Sequence, residues 1–426
     1  MKMKTIICLT AALTFAALFA ACENPDSGTH NDNTDTPHVH QWKAPVVENA
    51  ASCQAEGLET KVCALDATHI EHKVLPKLPH TYGDWEEWEP EDGGTGERIA
   101  CAVCDITKDS KLTGGNWLTF TKINDDAEYR VSKVSADMPS GIIIIPAYYR
   151  ETEDDEYLPV TQISNGATNS TTANAFGGNN AANATQIVVV TVPATVTSIA
   201  NYAFYNCPLQ DIFFAEGSQL ESIGATAFRN CSSLGSIAIP EGVTSLGTGV
   251  FQNCTGLTDV TLPESLTTIP SSLFNACSSL ISVDFPSSVT SIGSSVFQDC
   301  TSLIGVTIPE GITSIPNSLF SGCTSLASIT ISKDVTSIGS TAFRNTGLTS
   351  VIIPANVTSI AAQAFTGCTK LELVTCLAET PPTLGGDNVF FDVYDYMEIK
   401  VPAASVEAYK TAAWWKLEAD FISAIE

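Results

Sequence analysis

Fourteen cysteines and six histidines are the nucleophiles and metal ligands open to this chain. Every histidine (His30, His38, His40, His69, His72 and His80) precedes residue 81. A Ser-His or Cys-His pair is therefore excluded from everything that follows. Adjacent carboxylates occur at Glu86-Glu87 and Asp154-Asp155-Glu156, but in charge runs of the kind that solvate loops. Four cysteines, Cys53, Cys63, Cys101 and Cys104, lie within residues 38–112, with His80 among them. The Cys101-Ala-Val-Cys104 spacing is that of a metal ligand pair, and a further Cys or His would extend it toward a zinc site. The segment holds two degenerate copies of one unit. The first runs from His40-Gln-Trp42 through Cys53 to Cys63, and the second from His80 through Trp85 to Cys104. Asp66 stands where the first copy would complete its own CxxC, and the second copy lacks a middle Cys. Neither copy keeps four obvious ligands. The expectation is thus a disulfide-stabilised spacer of unassigned pairing, with no metal and no cofactor, and zinc at these five residues is the alternative.

A second set of cysteines has a different logic. Phenylalanines recur at Phe204, Phe228, Phe251, Phe274, Phe297, Phe320, Phe343 and Phe365, with steps of 24, 23, 23, 23, 23, 23 and 22. A Cys follows each by three residues, except that Thr346 follows Phe343. A period near 23 is the signature of a solenoid, in which each unit buries its apolar face only against its neighbours. One unit reads Val289-Thr-Ser-Ile292-Gly-Ser-Ser-Val-Phe297-Gln-Asp-Cys300-Thr-Ser-Leu303-Ile-Gly-Val306-Thr-Ile308-Pro309. Val306 and Ile308 alternate with Thr307 as a strand does, inward and outward. Pro309 ends that strand because it has no N–H for the ladder. Val289–Ile292 forms a second short extended piece, and Gly293 turns the chain, as Pro270 and Pro316 do elsewhere. Phe297 and Cys300, three apart, are expected on one face of a short helical turn. The regularly placed cysteines then read as small buried core residues.

The units "VTSIGSSVFQDCTSLIGVTIPEG" and "ITSIPNSLFSGCTSLASITISKD" resemble the leucine-rich repeat of the BspA-like bacterial surface-protein family. The resemblance spans about residues 115–426. It implies a repeat solenoid of ~23-residue units rich in short strands. A small β-rich module precedes it and a strand-helix cap ends it. Trp117–Pro193 resembles the family's lead-in, with Ile142–Ile145 as an early strand and Ala175-Phe176 in a degenerate first unit. An Asn/Thr-rich insertion, 165–183, interrupts that unit. Met397–Lys410 resembles the terminal strand and helix, with Pro402 in the first helical turn. The segment 38–112 in turn resembles a Cys/Trp tandem module of exported bacterial proteins. The expected organisation is 1–21 signal peptide, 22–37 flexible tether, 38–112 Cys/Trp module, 113–192 N-terminal cap with the degenerate repeat, 193–376 solenoid and 377–426 C-terminal cap.

Lys2 and Lys4 precede an apolar run from Thr5 to Ala21, as in an export signal. Leu18-Phe19-Ala20-Ala21-Cys22 resembles a lipoprotein cleavage box, which would make Cys22 the lipidated residue and its acyl chains the only membrane contact. The expected location is therefore outside the cytoplasm, anchored at the outer membrane or cell surface. A formal charge of −27 argues against a nucleic-acid partner, since phosphate binding needs basic patches. Along the solenoid, outward strand positions form a column of Thr191, Phe213, Ala238, Thr261, Asp284, Thr307, Thr330 and Ile352. Of these, Phe213, Thr261, Asp284, Thr307, Thr330 and Ile352 are the candidate ligand contacts. Such a column offers no acid, base and nucleophile in one cleft, so no enzymatic activity is expected. The family resemblance implies a surface binding or adhesion protein toward host or matrix proteins or other cells, and the flat column of hydroxyls could also meet a glycan chain. A coat or spacer role without a specific ligand is the other class.

Overall fold

The computed structural model describes the backbone of six strands between residues 46 and 113, then residues 118–133, 141–164, 176, 187–393 and 397–425. Cys22, the signal and tether, and the candidate metal ligands Cys53, Cys63, His80, Cys101 and Cys104 lie outside these residues. The chain divides into two compact units, Met1–Pro79 and His80–Glu426. The first holds an antiparallel sheet of Val46–Asn49, Gly57–Val62 and Ile70–Leu75. In the second unit, Glu86–Trp88, Thr95–Ala100 and Thr107–Thr113 form a similar antiparallel meander. Thr107–Thr113 then pairs in parallel with Tyr148–Arg150, so the second Cys/Trp copy is continuous with the sheet that follows it.

After antiparallel pairs of Leu118–Ile123 with Glu128–Lys133 and of Tyr148–Arg150 with Leu158–Ile163, the rest of this unit is a solenoid with two parallel sheets and a ladder of turns. The first sheet includes Gly141–Ile144, Ile187–Val192 and Asp211–Phe214 near its start, and Ser350–Ile353, Leu373–Cys376 and Glu398–Val401 near its end. The strand alternation behaves as expected: Val306 and Ile308 are buried and Thr307 is exposed. The second sheet is made of Ser-Ile pairs such as Ser198–Ile199, Ser222–Ile223 and Ser337–Ile338, each with Ile buried. It is cut into three pieces, between Ser245–Leu246 and Thr268–Ile269 and between Ser291–Ile292 and Ser314–Ile315. Pro270 and Pro316 explain both cuts. Where other coils place Gly or Ala, a backbone N–H reaches the preceding coil, as from Gly247 to the Ile223 carbonyl at 2.8 Å and from Gly293 to Ile269 at 2.8 Å. Proline has no N–H to give.

The expected helical turn at Phe-x-x-Cys is absent. Two tight turns of type II character replace it, each with a left-handed third residue. In one coil the Ala227 N–H returns to the Gly224 carbonyl across Thr226 (φ 54°), and Cys231 returns to Phe228 across Asn230 (φ 64°). A type II turn leaves its middle N–H groups pointing out of the coil. They bond the next coil instead: Thr226 N–H to the Thr248 carbonyl at 2.9 Å and Asn230 N–H to Gln252 at 2.9 Å, while the Phe228 N–H between the two turns reaches the Val250 carbonyl at 3.0 Å. A helix would have spent those donors internally. The turns therefore build a third inter-coil ladder.

Ten phenylalanines stack through the interior, from Phe176 to Phe390, with successive centroids 5.1–5.8 Å apart and rings within 16° of parallel. Phe390, which the 23-residue spacing does not reach, continues the column past Phe365. Trp415 then closes it, 5.8 Å from Phe390 with its indole N–H on the Pro382 carbonyl at 2.7 Å. The C-terminal cap follows the expected strand and helix, Glu398–Val401 and Val406–Thr411. Pro402 stands one residue before a 3-10 turn, Ala403–Ser405, rather than inside the first turn. A further strand, Ile422–Ala424, pairs in parallel with Glu398–Val401 and takes up its free edge.

Candidate functional site

The first sheet brings the candidate column into register. Thr191 pairs with Phe213, Ala238 with Thr261, and Thr307 with Thr330. Exposure varies along it. Thr191 is buried to 2% and Phe213 and Thr261 are half-buried, while Asp284, Thr307, Thr330 and Ile352 are exposed, Ile352 at 57%. The two ends of the column thus differ: hydrophobic and covered near Thr191, open from Asp284 onward. The column also runs further than the sequence pattern suggested, since Ile352 pairs with Thr375 and Thr375 with Lys400. Lys400 holds Glu398 at 3.3 Å and brings the first charge pair to this face. Thr375 could have been found by carrying the same alternation through Leu373-Val374-Thr375-Cys376.

Two exposed isoleucines flank the column. Ile281 and Ile304 sit one coil apart, just before their strands, joined by the Ile304 N–H to the Ile281 carbonyl at 3.0 Å. With Asp284 and Thr307 they give the middle of the face an apolar pair beside a carboxylate and a hydroxyl. Single exposed apolar residues are ordinary, but an adjacent pair on a flat face makes a small contiguous patch.

The second sheet presents its own outward row, which the repeat alone did not single out. Ser198, Ser222 and Ser245 are in register, and beyond the proline breaks Ser314, Ser337 and Ser359 form another such row. Threonines one position earlier lock adjacent coils: the Thr290, Thr336 and Thr358 hydroxyls donate to the Thr267, Thr313 and Thr336 carbonyls at 3.0–3.3 Å. These hydroxyls are engaged in holding the coils together, whereas the serine row faces outward. The turns add an amide ladder, in which Asn253 donates to Asn230 at 3.0 Å and Asn230 to Asn206 at 2.6 Å.

The cysteines of the solenoid are interior. Cys231, Cys254, Cys277, Cys300 and Cys323 each donate their thiol to the carbonyl of the preceding coil's Phe at 3.1 Å. Thr346, which takes the place of Cys after Phe343, donates to its own Phe343 carbonyl at 2.9 Å. All eight cysteines from Cys207 to Cys376 are buried. Burial pushes the Cys254 and Cys300 thiols up to about 12 and those of Cys231, Cys277 and Cys323 well above the ordinary range. Thiolate is the nucleophile, so this environment keeps them inert. Among the described residues no group of three His, Cys, Asp or Glu side chains is placed to hold a metal.

A parallel solenoid whose coils carry one stacked Phe, one buried thiol and two short strands, with flat polar faces outside, is a leucine-rich-repeat protein. The chain belongs to the BspA type leucine rich repeat region family, which matches it in six copies across residues 173–304, 251–372 and 292–414. The chain is also similar to several solved structures. A leucine-rich repeat protein from Bacteroides ovatus is 22% identical, covering 73% of this chain and 99% of its own, with a TM-score of 0.31. A leucine rich cell surface protein from Faecalibacterium prausnitzii is 22% identical, covering 75% and 95%, with a TM-score of 0.35. The pneumococcal vaccine antigen PcpA is 17% identical, covering 73% and 96%, with a TM-score of 0.40. Comparison with curated proteins gives no match.

Proposed function

We propose that this protein is a surface-anchored binding or adhesion protein, without enzymatic activity, that meets a protein or glycan ligand outside the cell through the open face of its first sheet. The observation that carries the reading is the in-register exposed run of Asp284, Thr307, Thr330 and Ile352, with Ile281 and Ile304 beside it, on a backbone held rigid from within. A rigid, flat and extended face suits a large partner and lacks the concave cluster that catalysis requires. The export signal and the lipidation of Cys22 supply the anchor in this reading, residues 22–37 the tether, and the outer membrane or cell surface the location. The acidity of the chain disfavours nucleic acid.

The test is a panel of matrix proteins, mucins and glycans presented to the full-length chain and to folded Asp284→Lys and Ile352→Asp variants. Saturable binding that both substitutions weaken supports the reading. Binding to nothing across the panel, or binding indifferent to both, contradicts it and leaves a coat or spacer role. Release of the protein from membranes in a Cys22→Ala variant is the corresponding expectation for the anchor, and retention of that variant would refute it.

A further inference from the structure

The beginning of the second sheet carries a groove of about 620 Å³, open to solvent. Five of its lining side chains stand in register on consecutive parallel strands: Arg130 beside Gln162, Gln162 beside Ser198, then Ser222 and Ser245. Paired positions of parallel strands project to the same face, so the five form one straight row. The floor is flush, because at Gly224 and Gly247 an added Cβ would strike the backbone of the preceding coil. The sheet breaks after Ser245–Leu246, where Pro270 withholds its donor, and the groove ends there. In a chain with 47 acidic and 20 basic residues, the described lining of this groove holds no carboxylate, and Arg130 is its one charged residue.

We infer that this groove binds a carboxylated sugar chain, its carboxylate on Arg130 and its hydroxyls on Gln162 and the serine row. The inference rests on the binding function proposed above and assigns it a ligand class and a second face. A guanidinium receives a carboxylate through two parallel hydrogen bonds. Serine hydroxyls both donate and accept, and the Gln162 amide does the same with two different atoms, which is what a ring of sugar hydroxyls needs. An extended peptide fits less well. The backbone groups of these strands are spent between coils, so a peptide cannot add as a further strand. The flush floor also gives its side chains no pockets.

The experiment titrates the full chain with oligogalacturonate and with oligosialate, using a neutral galactan oligomer of equal length for comparison. The same titrations are run on Arg130→Gln and Ser222→Gln, each first shown to unfold cooperatively. The expected result is saturable binding of an acidic oligomer, stronger than of the neutral one. Arg130→Gln should weaken it about tenfold or more, the usual cost of losing a charge-assisted bond. Ser222→Gln, which fills the row, should weaken acidic and neutral oligomers alike. No binding by either acidic oligomer, equal binding by the wild type and the two groove variants, or displacement of the sugar by an acidic peptide overturns the inference. Should the groove variants behave as wild type while Asp284→Lys still alters matrix binding, the groove assignment falls and the broader function stands.

Discussion

Each coil asks two residues to adopt a left-handed backbone. The position before Cys, or before Thr346 in its place, is filled by Asn206, Asn230, Asn253, Asp299 and Asn345, and by Gly322 and Gly367, all at φ between 55° and 81°. Asn, Asp and Gly are the residues that tolerate this region, so the choice follows from the turn. Ala276, at φ 60°, is the exception. Ala276→Gly should therefore raise stability by about 0.5–1 kcal/mol, the left-handed penalty relieved less the extra entropy of Gly in the unfolded chain. Urea unfolding of the two chains measures it, and a loss of stability would contradict the turn assignment. The thiols make a second prediction. Their folded pKa is raised by burial, to about 12 for Cys254 and Cys300, above the ordinary value of 9.0. The folded protein thus holds its thiol protons where the unfolded chain has released them. This contribution is complete below pH 9.0 and is lost as pH rises from there toward about 12. Alkylation of the eight solenoid cysteines should accordingly be slow in the native protein at neutral pH and become fast together with base-induced unfolding. Fast labelling of the native protein at neutral pH would contradict their burial.

At the scale of elements, the sequence was legible wherever burial repeats. Phe297, Cys300, Leu303, Val306 and Ile308 recur because each fills the same interior position, and an apolar residue at fixed spacing shows that directly. The turn was not legible: an apolar pair three apart fits a helical turn and a pair of tight turns equally, and only the left-handed residue between them decides. Phe390 escaped because it lies 25 residues after Phe365 and is followed by Val393 rather than Cys. The strand Ile422–Ala424 is three residues long, too short to show a period. The outward serine row was hidden for another reason, since Ser before a buried Ile looks the same in a loop as on a face. Pro270 and Pro316 were read as turn residues, and their larger effect, cutting the second sheet, needs the register to be seen. Ala200 and Ala361 occupy the same position and do donate, at 2.9 Å to Ile163 and Ile338. In Pro270→Ala the amide created at position 270 should therefore bond the Leu246 carbonyl and become protected against hydrogen exchange. Free exchange of that amide would show that the break has another cause.

The whole solenoid depends on sharing. Burying a large apolar side chain gains roughly 1.5–3 kcal/mol, whereas ordering each residue costs roughly 1–2 kcal/mol of backbone entropy alone, so a coil of ~23 residues cannot stand by itself. Stacked coils cover each other's faces, and Trp415 with Tyr409 seals the last one, the Tyr409 hydroxyl donating to the Ala378 carbonyl at 2.7 Å. The flat faces presented to a ligand are a product of that stacking, since the same period that aligns Phe251, Phe274 and Phe297 inside aligns Asp284, Thr307 and Thr330 outside. Interchangeable coils are the central claim, and excision tests it most directly. Ser282 bridges Gly305, so residues 282–304 are one complete coil. Deleting all of them should leave a chain that unfolds cooperatively with its remaining solenoid thiols still protected, because Phe274 then stacks on Phe320. Deleting only 282–292 should expose those thiols without denaturant. If the whole-coil deletion unfolds the chain as the partial one does, or the partial one is equally well tolerated, the coils are not equivalent and the account is wrong.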